Sequence, residues 1–202
     1  MQAAQFIERT KDVEAWRKHA RALRRSAQIL WQEFERSLLF AVQVGSSKGT
    51  EPNLDEALET FETTKLLYGL ALETALKAWI IEHKPREIEI KVTMDGKGEA
   101  KQAELKSIGV PSSQGHNLLS LAEVAGLFTS TFASTLTTDS DRDAMRNICR
   151  DLGEVVVWRG RYPVPLASFE PLQLNPNVPA KALAHYLRDW LDPVLDALLK
   201  GK

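Results

Sequence analysis

From Lys11 to Val44 neither glycine nor proline interrupts the chain. Over that stretch apolar residues recur every three or four positions: Val13, Trp16, Ala20, Leu23, Ala27, Leu30, Phe34 and Leu38. This spacing lays one continuous stripe along one face of a helix. At ~1.5 Å per residue such a helix is about 50 Å long, a scaffold for an elongated assembly. Gly45, Ser46, Ser47, Gly49 and Pro52 are expected to end it. A second helix is expected from Asn53, a good N-cap, with Asp55, Glu56 and Glu59 in and just after its first turn. Leu54, Leu58, Phe61, Tyr68, Leu72, Ala75, Leu76 and Trp79 mark its apolar side, and it should stop before Pro85. Two long helices, 11–44 and 53–84, joined by a short loop predict an antiparallel hairpin.

The rest of the composition fits a single domain built on that hairpin. The chain has 202 residues, 44% of them hydrophobic, and 26 basic against 27 acidic side chains, for a net charge of −1. A balance this even excludes a protein that coats nucleic acid by bulk electrostatics, and the hydrophobic content excludes a disordered chain. One cysteine, Cys149, excludes a disulfide framework and a cysteine-based metal cluster. It reads as a reduced, partly buried thiol. The most apolar stretch, Leu66 to Ile81, is interrupted by Glu73 and Lys77, and no run approaches the ~18 residues needed to cross a bilayer. The start of the chain lacks the apolar run of a signal peptide. These features predict a cytoplasmic protein that does not enter membranes.

Residues 85–115 break the helical pattern for 31 residues and read as an insertion. Glu87 to Thr93 alternates like a strand, Asp95-Gly96 is a hairpin turn signal, and Glu99 to Lys106 favours a short helix over a returning strand. Any sheet here is expected to be small. Shorter helices follow over 117–158: one from Asn117 to Ala125, stopped by Gly126, and one from Ser140 or Asp141 to about Trp158. Prolines 163, 165, 171 and 176 make 159–178 an extended segment. A last helix over 179–200 begins at Pro179, with a kink expected at Asp192-Pro193. The predicted class is therefore all-α, an elongated up-down bundle of four or five helices with one insertion.

The near-zero net charge hides segregation. Residues 9–25 hold seven basic residues and two acids, and residues 51–62 hold five acids and no base. Arg17, Arg21 and Arg24 share one helix face. Antiparallel pairing sets that stripe beside residues 72–88 and away from the acidic segment. It is expected to stay solvated, or to meet phosphate or an acidic partner.

Histidines 19, 83, 116 and 185 lie far apart in sequence, and no HExxH, P-loop, dinucleotide or GxSxG motif occurs. No metal and no cofactor is predicted. Asp141 and Asp143 sit at a helix start, where capping explains them. Three features carry more chemistry. Glu73 and Lys77 form an i,i+4 pair inside an apolar helix, either at its edge or buried and in need of partners. His116 precedes Asn117 at a helix start, placed either to cap it or to face a cleft. Trp158-Arg159-Gly160-Arg161-Tyr162-Pro163 concentrates cations and aromatics at a helix end. Arginine can bind phosphate bidentately and an aromatic ring can stack on a base. The bland alternative has the aromatics pinning the proline-rich segment and the arginines pairing with carboxylates.

Three strings occur in a telling order: LLYGLALETALKAWII (66–81), GHNLLSLAEVAGL (115–127) and VVVWRGRYPVP (155–165). Together they resemble a bacterial subgroup of the HEPN superfamily, over roughly residues 54–165. That resemblance implies an all-α bundle of four or five helices, often paired as a homodimer, and residues 1–202 are expected to form a single domain of this kind. It also implies either ribonuclease activity in toxin–antitoxin or antiviral systems, or a non-catalytic role binding nucleotides or partners. The family's ribonucleases carry Arg followed four to six residues later by His. Here the positions after Arg142, Arg146 and Arg150 hold no histidine. The general acid/base is missing from its place, which removes a contribution of about 10²–10⁴-fold. The expectation is a non-catalytic bundle binding a nucleotide, RNA or a protein through Arg159, Arg161, Tyr162, His116 and Lys77. A ribonuclease that uses His116 instead, and a purely structural interaction module, are the alternatives.

Overall fold

The computed structural model describes residues 2–159 and 185–200, with the backbone alone at 158 and 159. The described chain is mostly helical, with a small antiparallel sheet. Helix α1 (Ala3–Lys11) was not expected. It ends at Asp12, whose side chain accepts from Ala15 N at 3.0 Å and so caps α2 (Val13–Lys48). Trp16 Nε1 donates to the Thr10 carbonyl at 3.0 Å and holds the two helices together. Helix α2 runs through Gly45, which is buried. A Cβ there would lie 2.9 Å from the Thr50 carbonyl, so the loop folds back tightly over the helix. The stop falls at Gly49, in the left-handed region at φ 64°.

Helix α3 (Asp55–His83) returns antiparallel to α2: Phe34 meets Phe61 near one end, and Arg17 meets Glu82 near the other. Asn53 accepts from Asp55 N at 2.9 Å. Trp31, Phe34 and Phe61 contact one another at the hairpin tip, where Phe34, Leu38 and Ala57 form a small separate core. Further along, α3 is buried on every side from Ala71 to Leu76. A helix that is apolar all round belongs at the centre of a fold, and α3 is packed by α2 and by the later helices.

The insertion opens with a single turn, Pro85–Glu87, and then forms β1 (Ile88–Met94), β2 (Ala100–Ile108) and the two-residue β3 (Val110–Pro111), in the order β1-β2-β3. The expected helix at Glu99–Lys106 is wrong; this stretch is strand β2, paired antiparallel with β1. Its residues favour a helix locally, but β1 offers a ladder, and Leu105 and Ile108 pack on the main core. In the turn Asp95 accepts from Lys97 N and Glu99 N, and the left-handed residue is Gly98, φ 82°.

Helix α4 (Leu118–Ala125) is capped by Asn117 and stopped by Gly126 at φ 80°. Helix α5 (Asp139–Glu154) opens with a capping box formed by Thr138 and Asp141. The Thr138 backbone N–H, then the Thr138 and Thr137 hydroxyls, hold the Asp141 carboxyl down at about 2. A π-helical turn, Val155–Arg159, continues α5. The C-terminal segment resumes as π-helical Tyr186–Leu191 and then α6 (Asp192–Leu199), the change of geometry falling where Asp192-Pro193 predicts a kink. The proline-rich segment lies outside the described residues. Cys149 is buried, and burial pushes its thiol up to about 12. Among the described residues no helix is long and apolar enough to cross a membrane.

Candidate functional site

Helix α3 turns one face toward the end of the insertion and toward α5, and Gly69, Glu73 and Lys77 follow one another along it at four-residue steps. Glu73 is the pivot. Its side chain is 9% exposed, and each of its oxygens has a partner. Lys77 Nζ donates to Oε1 at 2.6 Å. His116 Nδ1 lies 2.8 Å from Oε2. Of the pair that could have lain at the helix edge, Glu73 is buried and Lys77 is partly buried. Burial of a carboxylate is tolerated because both oxygens are satisfied.

Two of the five residues singled out from sequence, Lys77 and His116, thus meet on one carboxylate. The turn Ser112–Gln114 and Gly115 deliver His116 to this position, and Asn117, not His116, caps α4. A Cβ on Gly115 would sit 3.2 Å from the Ser112 carbonyl and 3.7 Å from Lys77 Nζ. The backbone can pass this close to the ammonium because no side chain intervenes. The His116 ring is 48% exposed, and no described residue bonds its Nε2. With Nδ1–H donating to Glu73, Nε2 is left as an outward-facing acceptor or, once protonated, a donor. Lys77 keeps two ammonium protons beyond the one given to Glu73.

The C-terminal end of α5 lies against the same region. A Cβ on Gly153 would be 4.0 Å from Leu118 N, and one on Gly69 would be 2.5 Å from Val156 Cγ2. The π-helical turn that ends at Arg159 therefore packs on α3 one helical turn before Glu73. Arg161, Tyr162 and the Arg159 side chain fall outside the described residues. Glu73 itself was readable only as half of an ion pair. Its second partner is 43 residues away, and no local spacing reports that contact.

The basic stripe is a correction. Arg17 is buried, at 3% exposure, and bonds Glu14, Glu82 and the Lys200 carbonyl. Arg21 donates to the Leu199 carbonyl, and Arg24 bonds Asp192 and Asp196. The C-terminal helix answers a charge pattern that the hairpin alone leaves open. Cations placed at its C-terminal carbonyls also complement the helix dipole. Outside these bonds, Arg9, Lys18 and His19 line a surface groove of about 860 Å³ with Trp16, Asp12 and Glu14. Among the described residues no three metal-ligating side chains converge.

No protein-family model matches the chain, and no curated protein or solved structure matches it.

Proposed function

We propose that this is an elongated HEPN-like helical bundle that acts as a homodimer and binds a phosphate-bearing ligand, a nucleotide or RNA, without cleaving it. The setting implied by the resemblance is a bacterial defence or toxin–antitoxin system. One observation carries the binding reading: Glu73 holds a lysine and a histidine side by side at the mouth of the insertion, each with hydrogen-bonding capacity to spare. A phosphate could accept from Lys77 Nζ and from protonated His116 Nε2. Arg159, Arg161 and Tyr162 belong to this site in the proposal, as further phosphate donors and a base-stacking ring.

Fluorescence anisotropy with a labelled RNA oligonucleotide, and competition by free mononucleotides, test it. The wild type should bind, and Lys77→Ala and His116→Ala should each weaken binding by about tenfold or more, a loss of one charge-assisted bond. Arg159→Ala/Arg161→Ala should weaken it further. Wild-type affinity indistinguishable from that of the variants would remove the site.

A second reading has one observation in its favour. A buried carboxylate bonded to Nδ1 orients an imidazole so that its Nε2 can take a proton. In that reading His116 takes the proton of an RNA 2′-hydroxyl, whose oxygen attacks the adjacent phosphorus and expels the 5′-oxygen, which is protonated by water or by the imidazolium; Lys77 steadies the charge that develops on the non-bridging phosphoryl oxygens. Cleavage should then survive chelators and fall about 10²–10⁴-fold in His116→Ala. Intact RNA after prolonged incubation with the wild type rules it out.

A further inference from the structure

Strand β1 is an edge: in the order β1-β2-β3 no strand among the described residues is hydrogen-bonded to its second side. Edges are usually blunted by bulges, prolines or lone charges. Here the register shifts at both ends of the ladder, and in each case the extra residue, Lys101 or Lys106, belongs to β2. The inner strand carries the irregularities and the outer one, Ile88–Met94, stays unbroken.

The sequence of that edge is complementary to itself. Run antiparallel to a second copy and centred on Ile90, it sets Ile88 opposite Val92, Glu89 opposite Lys91 and Glu87 opposite Thr93. One face of the pair is apolar from Ile88 to Val92, with Arg86 opposite Met94 beyond it, and the other carries two opposite-charge pairs related by the twofold. Centring on Glu89 or Lys91 instead would oppose like charges. Within the chain Glu89 faces Ser107. Lys91 faces Glu104 and lowers its pKa through longer-range attraction, second to the contact with Lys106. Neither Glu89 nor Lys91 makes a side-chain hydrogen bond or close ion pair with a described residue. On the apolar face, exposure rises outward to 38% at Val92 and 59% at Met94.

We infer that β1 pairs antiparallel with β1 of a second copy about Ile90, joining the two small sheets into one across a twofold axis. The inference deepens the homodimer in the reading above and rests on it. Such an isologous contact closes on itself, so it yields a dimer and not a fibre. It leaves the Glu73 site of each copy to its own chain.

Sedimentation of the full chain over a range of concentrations tests this, with circular dichroism to check folding. The wild type should be dimeric. Glu89→Lys opposes lysines twice in its own dimer, and Lys91→Glu opposes glutamates twice. Each should weaken self-association by about tenfold or more. Mixed in equal amounts, the two variants should recover a 1:1 dimer, since both cross pairs are again opposite in sign. That recovery also shows that both variants are folded. A wild type that stays monomeric overturns the dimer and the edge together. A dimer indifferent to both substitutions, or variants that fail to recover on mixing, overturn the β1 edge and leave dimerisation standing.

Discussion

Glu73 holds a charge in a place where only its partners make a charge tolerable. Removing Lys77 alone leaves a buried carboxylate with one partner, and the desolvation cost of the orphaned oxygen falls on the fold. We expect Lys77→Ala to lower stability by about 1–3 kcal/mol in urea unfolding. Glu73→Gln/Lys77→Met removes both charges and should cost less than the two single substitutions added together. Strict additivity would mean that the two side chains are not coupled. Much of this site was legible in the sequence: the i,i+4 pair, and a histidine just ahead of a helix start. Missing was the contact that makes it a site, because His116 reaches Glu73 across the whole insertion. Cys149 was readable as a partly buried thiol, and the structure buries it completely. Arg17 was not readable as buried, since an arginine beside two other arginines on a helix reads as surface.

At the scale of elements, caps and stops were the legible part. Asn117, Gly126 and the end of α3 before Pro85 fall where local chemistry puts them, whereas α5 starts at Asp139, ahead of the expected Ser140 or Asp141, because Thr138 supplies the cap and Asp141 closes the capping box. Failures came where a neighbour overrode local preference. Gly45 did not stop α2, because the returning loop packs against it and needs a residue without Cβ. The segment Ala100–Ile108 became a strand because β1 was there to pair with it. Gly109 joins β2 to β3 at φ 73°, and a Cβ there would lie 2.8 Å from Val124 Cγ1 and 2.9 Å from Ile80 Cδ1. Backbone strain and overpacking add at this position, so Gly109→Ala should lower stability by about 2–4 kcal/mol. Gly98→Ala, equally left-handed but with nothing within 4 Å, should cost only the strain, about 1–2 kcal/mol. Thermal unfolding of the two variants separates these terms. Equal losses would show that Val124 and Ile80 make room for the methyl group.

Across the whole molecule, α2 acts as a rack of three arginines that grips the C-terminal helix. The hairpin pairing read from sequence was right, yet it led to the wrong conclusion about charge, because α6 closes against the stripe from 168 residues away at Arg24–Asp192. Long-range closure of this kind leaves no periodic trace. The grip carries its own tension: burial, opposed by Arg24, holds the Asp192 carboxyl above its usual value, and Asp196 adds repulsion. A raised folded-state pKa means that this group favours folding when protonated, below its unfolded value, and that the gain is lost as pH rises through the folded value. Arg24→Ala removes the counterion and raises that value further. The variant should therefore be less stable than the wild type by about 1.5–3 kcal/mol at pH 7. The difference should narrow as the pH falls through the raised folded-state value of Asp192, because the protonated carboxyl no longer needs the Arg24 counterion in either protein. Urea unfolding of the two proteins at several pH values measures the gap directly. A gap that stays constant with pH would mean that Arg24 holds α6 by packing alone. Docking of the C-terminal helix would then depend on the apolar face of Val194, Leu195 and Leu198, with the arginine rack contributing little.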